Sequence, residues 1–160
     1  MATIVIGMGN PVLSDDSVGL RVARQVALRL PAESGIAVRE LHAGGLRLME
    51  AMAGFDRAII VDSMMTPGAR PGTIHAPTLA GLFPTRNTCS THDGNLAVAM
   101  ELGRMAGLHL PTEVEIWAVE AANVTAFSEQ MTPAVDRAVP RVVKHVMRAL
   151  QQATKARENA

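Results

Sequence analysis

Cysteine and net charge are what this chain has least of. Cys89 is its single cysteine, which excludes an internal disulfide and any C-x-x-C metal knuckle. One thiol fits a reducing cytoplasm, where we expect the protein to act. The 15 Lys and Arg residues balance 15 Asp and Glu residues. Charge therefore gives no reason to expect a nucleic acid or an anionic membrane surface as a partner.

Aromatic side chains and long hydrophobic runs are scarce as well. The chain has no tyrosine, three Phe and one Trp, against ten Met. Because methionine adapts to irregular gaps, we expect it to fill core volume that aromatic rings fill elsewhere. No apolar run approaches the roughly 20 residues that a bilayer-spanning helix needs. We therefore expect a cytoplasmic monomer with no membrane partner.

The composition that remains suits one compact domain. Of the 160 residues, 48% are hydrophobic and 19% are charged, which provides for a sizeable core. We assign residues 1–151 to a single α/β domain and the polar residues 152–160 to a disordered tail.

Apolar patterns typical of strands alternate along the domain with patterns typical of helices. This alternation predicts a three-layer αβα sandwich with a mostly parallel central sheet and one antiparallel edge strand. Pro140 predicts a break in the last helix. The predicted strands cover about 3–8, 36–41, 58–61, 73–76 and 113–119, the predicted helices cover about 17–30, 46–53, 94–106 and 134–151, and 79–90 is predicted to be an exposed loop.

The first 19 residues carry the strongest local signal. A β-branched strand runs into a turn containing Gly7 and Gly9, and two adjacent carboxylates, Asp15 and Asp16, follow. We predict that Ser14 caps the next helix, with both acids at the favourable end of its dipole. Residues that follow a strand in this way lie at the carboxyl edge of the sheet, where an open α/β sheet usually has its binding or catalytic residues.

Three polar residues are predicted to meet at that edge of the sheet. Asp16 follows the first strand, Asp62 ends the third, and His92 precedes the helix at 94–106. Two carboxylates and one imidazole suit a divalent metal and leave positions open for water or substrate. Each residue also has an ordinary explanation: Asp16 as a helix-start residue, Asp62 as a turn former, and His92 as a surface histidine.

Several other chemistries do not fit the sequence. The Gly7-x-Gly9 turn is not a dinucleotide fingerprint, because position 12 is Val and acids occupy the phosphate position. Cys89, Ser63 and Ser90 lack the context of a nucleophile elbow. A hydrolase with this sequence is therefore expected to use a water held by a metal or a carboxylate, with no nucleotide cofactor.

Residues 7–19, which read GMGNPVLSDDSVG, resemble the N-terminal signature of the hydrogenase maturation endopeptidases. The resemblance continues in order along the chain, at AIIVD (58–62), PG (71–72), STH (90–92) and MTP (131–133). It implies an endopeptidase that removes the C-terminal extension of a nickel-iron hydrogenase large-subunit precursor after nickel insertion. It also implies that Asp16, Asp62 and His92 contact nickel that the precursor supplies, with Asp16 and Asp62 in catalysis.

One segment departs from the family pattern. Many members carry D-G-G after the second strand, whereas this chain has His42 and Ala43 before Gly44 and Gly45. The resemblance implies substrate contact at Gly44 and Gly45. His42 either replaces the missing acid or is an ordinary core or surface histidine.

Two other functions stay open. A chaperone that grips the nickel-loaded precursor without cutting it would need the same ligands. The Gly9-Asn10-Pro11 turn also resembles the opening of peptidyl-tRNA hydrolases, but that family needs a histidine and a basic surface. Residues 12–41 contain no His, and the net charge is zero.

Overall fold

The computed structural model describes residues 1–77, 89–90 and 94–158. Its strands are β1 (Thr3–Met8), β2 (Ile36–Leu41), β3 (Arg57–Met64), β4 (Ile74–His75), β5 (Cys89–Ser90), β6 (Gly94–Asn95) and β7 (Glu113–Glu120). Its α-helices are α1 (Val18–Arg29), α2 (Gly45–Met52), α3 (Leu96–Met105), α4 (Pro133–Asp136) and α5 (Val139–Glu158).

The main sheet has the strand order β2-β1-β3-β7-β4. β1 pairs in parallel with β2 and β3, and β3 pairs in parallel with β7. The short edge strand β4 is antiparallel to β7, while β5 and β6 form a separate antiparallel pair. The predicted mostly parallel sheet with an antiparallel edge strand is therefore confirmed.

The core has one layer on each face of the sheet. A valine-rich cluster joins α1 and α5 to one face, and it includes Val5, Val61, Val119 and Val143. A cluster richer in Ile, Leu and Met joins α2 and α3 to the other face. Four buried methionines belong to that second cluster, as expected from the scarcity of aromatic rings: Met8, Met49, Met52 and Met100.

Strand β3 is longer than the apolar run that predicted it. It continues to Met64, so Asp62 lies inside the strand and does not follow it. All eight of its residues are buried, including Arg57, Asp62 and Ser63. Polar residues continue the strand because β7 pairs with it through Met64, a long-range contact that local hydrophobicity does not report.

The C-terminal helices also differ from the prediction. The expected break occurs, but at residues 137–138, because Pro140 lies in the first turn of α5, where a proline is tolerated. α5 then continues through Glu158, although we expected a disordered tail from Gln152 onward. Gln, Ala, Lys, Arg and Glu dominate this end, and all of them favour a helix. No helix in the described ranges is long and apolar enough to cross a membrane.

Helix α1 lies directly on the backbones of β1 and β3 because Gly19 has no side chain. A Cβ at Gly19 would collide with the carbonyl oxygens of Met8 and Val61. In the middle of the helix, Arg24 donates two hydrogen bonds of 2.7 Å to Glu40 of β2, which lowers the pKa of the Glu40 carboxyl. These contacts fix where α1 begins, and the residues just before it carry the predicted site.

Gly19→Ala is expected to destabilise the protein by about 3 kcal/mol, because the new methyl group meets backbone atoms that cannot move independently. Urea unfolding measures the change in the free energy of unfolding. Gly103→Ala in α3 is the matched control: its Cβ would meet only the flexible side chains of Leu110 and Met49, at 2.8 Å each. Equal losses for the two variants would contradict the proposed role of Gly19.

Candidate active site

Asp16 is held at the carboxyl end of the sheet by a tight turn. It belongs to a 3-10 turn at Ser14–Ser17, directly before α1, and its side chain is buried. Its Oδ2 accepts a hydrogen bond of 3.1 Å from the backbone N–H of Asn10. Gly9 makes this turn possible, because its φ of 145° is poorly suited to other residues and a Cβ there would collide with the carbonyl oxygen of Asp16.

Ser63 contacts both predicted catalytic carboxylates. Its hydroxyl donates to Asp16 Oδ1 at 2.8 Å, and its backbone N–H donates to Asp62 Oδ1 at 2.8 Å. Asp62 and Ser63 are completely buried. Because successive side chains of a strand point to opposite faces, Ser63 reaches Asp16 at the start of α1 while Asp62 faces the α2 and α3 side.

Sequence analysis did not single out Ser63 for this role. The sequence suggested Ser63 only as a nucleophile, and the predicted third strand ended before Ser63. The sequence nevertheless contained one signal, which is that Ser63 directly follows Asp62. If the strand continues through both residues, their side chains point to opposite faces of the sheet, and Ser63 faces α1. Asp62 directly precedes Ser63, so the long-range contact that the fold contributes is the one from Ser63 to Asp16, which holds Asp16 beside the carboxyl end of β3.

The carboxylate of Asp15 contacts a distant segment of the chain, whereas that of Asp16 contacts Ser63. Its carboxylate accepts hydrogen bonds from the backbone N–H groups of Ala122, Asn123 and Thr132, at 2.8, 3.0 and 2.7 Å, and from the Thr132 hydroxyl. It therefore fastens the segment between β7 and α4 to the turn before α1. Asp15 lies in the first turn of the 3-10 helix before α1, as predicted for a helix-start residue, but its carboxylate also contacts this distant segment, which the sequence did not predict.

The predicted cap at Ser14, in contrast, is wrong. Ser17 is the residue before α1, and neither it nor the residue before the 3-10 turn makes a side-chain capping bond. Ser14 instead has a φ of 48°, uncommon for a residue with a side chain. Hydrogen bonds to the backbone oxygens of Ser128 and Gln130 hold it in that conformation.

The remaining predicted site residues lie in two places. Gly44 and Gly45 are buried at the start of α2, after the carboxyl end of β2. His42 is exposed beside them, and its Nδ1 lies 3.0 Å from the carbonyl oxygen of Gly9. Since a carbonyl only accepts, Nδ1 carries the proton in this contact. His92 lies outside the described residues, so its predicted role as a ligand stays a prediction.

The two carboxylates define what the described part of the site can do. Oxygen ligands suit a divalent cation, and a carboxylate can also accept a proton from water. Within residues 1–77, 89–90 and 94–158, no group of three or more His, Cys, Asp or Glu side chains is arranged to hold a metal ion. Asp16 and Asp62 alone supply two donors, which leaves further positions around a metal for other ligands.

Comparison with known proteins identifies the family. The family model for hydrogenase maturation proteases matches residues 20–149. The chain belongs to this family, and it is therefore a peptide hydrolase of hydrogenase maturation.

Individual relatives agree with this assignment. The chain is 24% identical to the hydrogenase 2 maturation protease of Escherichia coli over 155 residues, which is 95% of this chain and 92% of that protein. The fold resembles the E. coli hydrogenase maturating endopeptidase HybD, with a TM-score of 0.80, 23% identity, and coverage of 96% and 94% of the two chains. It also resembles a [NiFe] hydrogenase maturation protease from Thermococcus kodakarensis, with a TM-score of 0.72, 20% identity, and coverage of 94% and 99%.

Asp15→Asn is expected to lower the free energy of unfolding by about 3 kcal/mol, because it weakens several charge-assisted hydrogen bonds at a buried position. Amide hydrogen exchange should accelerate at Ala122, Asn123 and Thr132. Asp136→Asn, on an exposed carboxylate of α4, is the control. Wild-type exchange at those three amides in the Asp15 variant would show that Asp15 does not hold the segment.

Ser63→Ala is expected to reduce proteolytic activity about tenfold while lowering the free energy of unfolding by only about 1 kcal/mol. The loss of the hydroxyl removes the hydrogen bond that orients Asp16, whereas the backbone N–H to Asp62 remains. Ser17→Ala is the matched control, since that buried hydroxyl donates to the Ser14 carbonyl oxygen and not to a carboxylate. Similar activity losses in both variants would count against an orienting role for Ser63.

Proposed function

We propose that this protein removes the C-terminal extension from the large-subunit precursor of a nickel-iron hydrogenase. Family membership supplies the reaction class. The observation that supports this site is the hydrogen bond from the Ser63 hydroxyl to Asp16, which holds that buried carboxylate beside the end of β3, where the buried carboxylate of Asp62 lies. A parallel α/β sheet usually binds its substrate at this edge.

Nickel enters this proposal as part of the substrate. The precursor brings the metal, and Asp16, Asp62 and His92 complete its coordination sphere. Carboxylate oxygens and an imidazole nitrogen are suitable additional donors for a nickel ion that thiolates of the precursor already bind. Because these residues would act only on a metal-loaded precursor, cleavage would depend on completed nickel insertion.

The hydrolytic step needs an activated water. Nickel bound by Asp16 and Asp62 would lower the pKa of a water ligand, or one of the carboxylates would accept the proton directly. Both routes use the same two residues, so we describe the enzyme as an aspartic, metal-assisted peptidase. Burial of the carboxylates supports either route, because charge interactions strengthen away from water.

The remaining parts of the proposal concern the substrate and the setting. Gly44 and Gly45 lie beside the Gly9 turn through the His42 contact, which supports contact with the precursor at that edge. We propose that the enzyme acts as a monomer in the cytoplasm, on a protein partner.

Asp16→Asn, Asp62→Asn and His92→Ala are each expected to reduce precursor cleavage at least about 100-fold, while each variant retains a cooperative unfolding transition. Mass spectrometry of the C-terminus of the precursor measures cleavage. Exposed Asp136→Asn serves as the control for the two carboxylate changes. Normal processing by all three variants would refute the site.

The same assay separates a protease from a chaperone. The wild-type protein should shorten the nickel-loaded precursor and leave a nickel-free precursor intact. An unchanged C-terminus in the nickel-loaded precursor, together with stable binding, would favour the non-cleaving chaperone instead.

A further inference from the structure

A second acidic position lies on the same edge of the sheet, outside the site described above. Glu120 is the last residue of β7, and only 1% of its surface is exposed. Its Oε2 accepts a hydrogen bond of 3.0 Å from the backbone N–H of Thr66. Its Oε1 is buried and makes no hydrogen bond. The half-exposed ring of His75 lies beside it, with Nε2 3.2 Å from Oε1.

The contact with His75 does not provide Oε1 with a hydrogen bond. The two atoms are close enough for an ion pair if the ring is protonated, but their geometry is not that of a hydrogen bond. A buried carboxylate oxygen without a hydrogen bond is costly, so its retention calls for an explanation, of which a ligand that completes it is one. Glu120 therefore has the capacity to accept one more donor.

Glu120 lines a cavity of about 270 Å³. Glu120, His75 and Thr66 supply its charged and polar groups, and its apolar wall comes from Met64, Ala69, Ala76 and Pro77. This volume lies below the range of typical small-molecule pockets and suits one long side chain. An apolar wall with a single buried acid matches the aliphatic stem and charged head of lysine or arginine.

The register of the sheet places this cavity beside Asp62. Asp62 pairs with Ala118 and Met64 pairs with Glu120 in the parallel ladder of β3 and β7. Residues that pair in this way share a sheet face, so Asp62 and Glu120 lie on the same face. Two residues along a strand and one strand across correspond to about 8 Å between their Cα atoms. An extended peptide crosses this distance in about three residues.

We propose that the Glu120 cavity binds a lysine or arginine side chain of the precursor, within about three residues of the bond that is cut. This inference rests on the proposed cleavage of the precursor at Asp16 and Asp62. On binding, the ammonium or guanidinium group displaces the half-exposed His75 ring, which lies 3.2 Å from the buried Oε1, and donates to that oxygen, while the stem lies against Met64 and Pro77. The interaction positions the precursor and takes no part in the bond-breaking step.

The test combines changes in both partners. Each Lys and Arg near the cut of the nickel-loaded precursor is replaced in turn by Gln, and wild-type cleavage is followed by mass spectrometry. One replacement should lower kcat/KM about tenfold or more. Glu120→Gln should lower kcat/KM to a similar extent with the unchanged precursor. The enzyme variant acting on the changed precursor should have a kcat/KM no lower than either change alone produces. Glu120→Gln preserves the side-chain shape and can still accept from Thr66 N–H.

Glu113→Gln is the matched control, because it makes the same change on an exposed residue at the opposite end of β7. It should leave cleavage unchanged. The subsite is refuted if no Lys or Arg near the cut affects wild-type cleavage, if Glu120→Gln cleaves at the wild-type rate, or if the two losses multiply. In each of these cases the wild-type protein still cleaves, so the proposed function survives. A wild-type protein that does not cleave the nickel-loaded precursor overturns both proposals.

Discussion

The close approach of α1 to the sheet is the constraint on which the rest of the structure depends. Gly19 permits backbone contact with Met8 of β1 and Val61 of β3, and Gly9 gives the preceding turn room for the Asp16 carbonyl. With a side chain at either position, the helix would begin farther from the sheet. Asp16 could then no longer accept the hydroxyl of Ser63. The glycines of the opening motif thus serve packing and position, not phosphate binding.

Buried acids are concentrated where that constraint takes effect. Among the described residues, the buried carboxylates are those of Asp15, Asp16, Asp62 and Glu120, all at the carboxyl edge of the sheet or in the turn beside it. Asp15 is surrounded by backbone donors and serves the architecture. Burying the carboxylates of Asp16, Asp62 and Glu120 costs free energy that burying apolar side chains there would not cost. This concentration of buried acids at one edge is the observation on which both proposals for the precursor depend.

Much of the fold could be predicted because its signals are local. The strands at 3–8 and 36–41 and the helix after Asp16 follow from residue type and periodicity, and the sheet type follows from their alternation. The predictions failed where tertiary contacts decide. β3 continues to Met64 because β7 pairs with it, and Asp15 serves a segment more than a hundred residues away. Neither partner is visible in a local window.

For the site, residue type and order along the chain indicated its chemistry: one carboxylate after β1 and one near the end of β3, with a family resemblance that extends through the chain. Only the tertiary structure decided how adjacent and similar residues divide their tasks. Asp15 and Asp16 are neighbours, but one accepts backbone N–H groups and the other accepts Ser63. Glu120 gained its possible role only through the register that places it beside Met64. The physical reason is that sequence specifies donors and acceptors, whereas long-range packing specifies which of them meet.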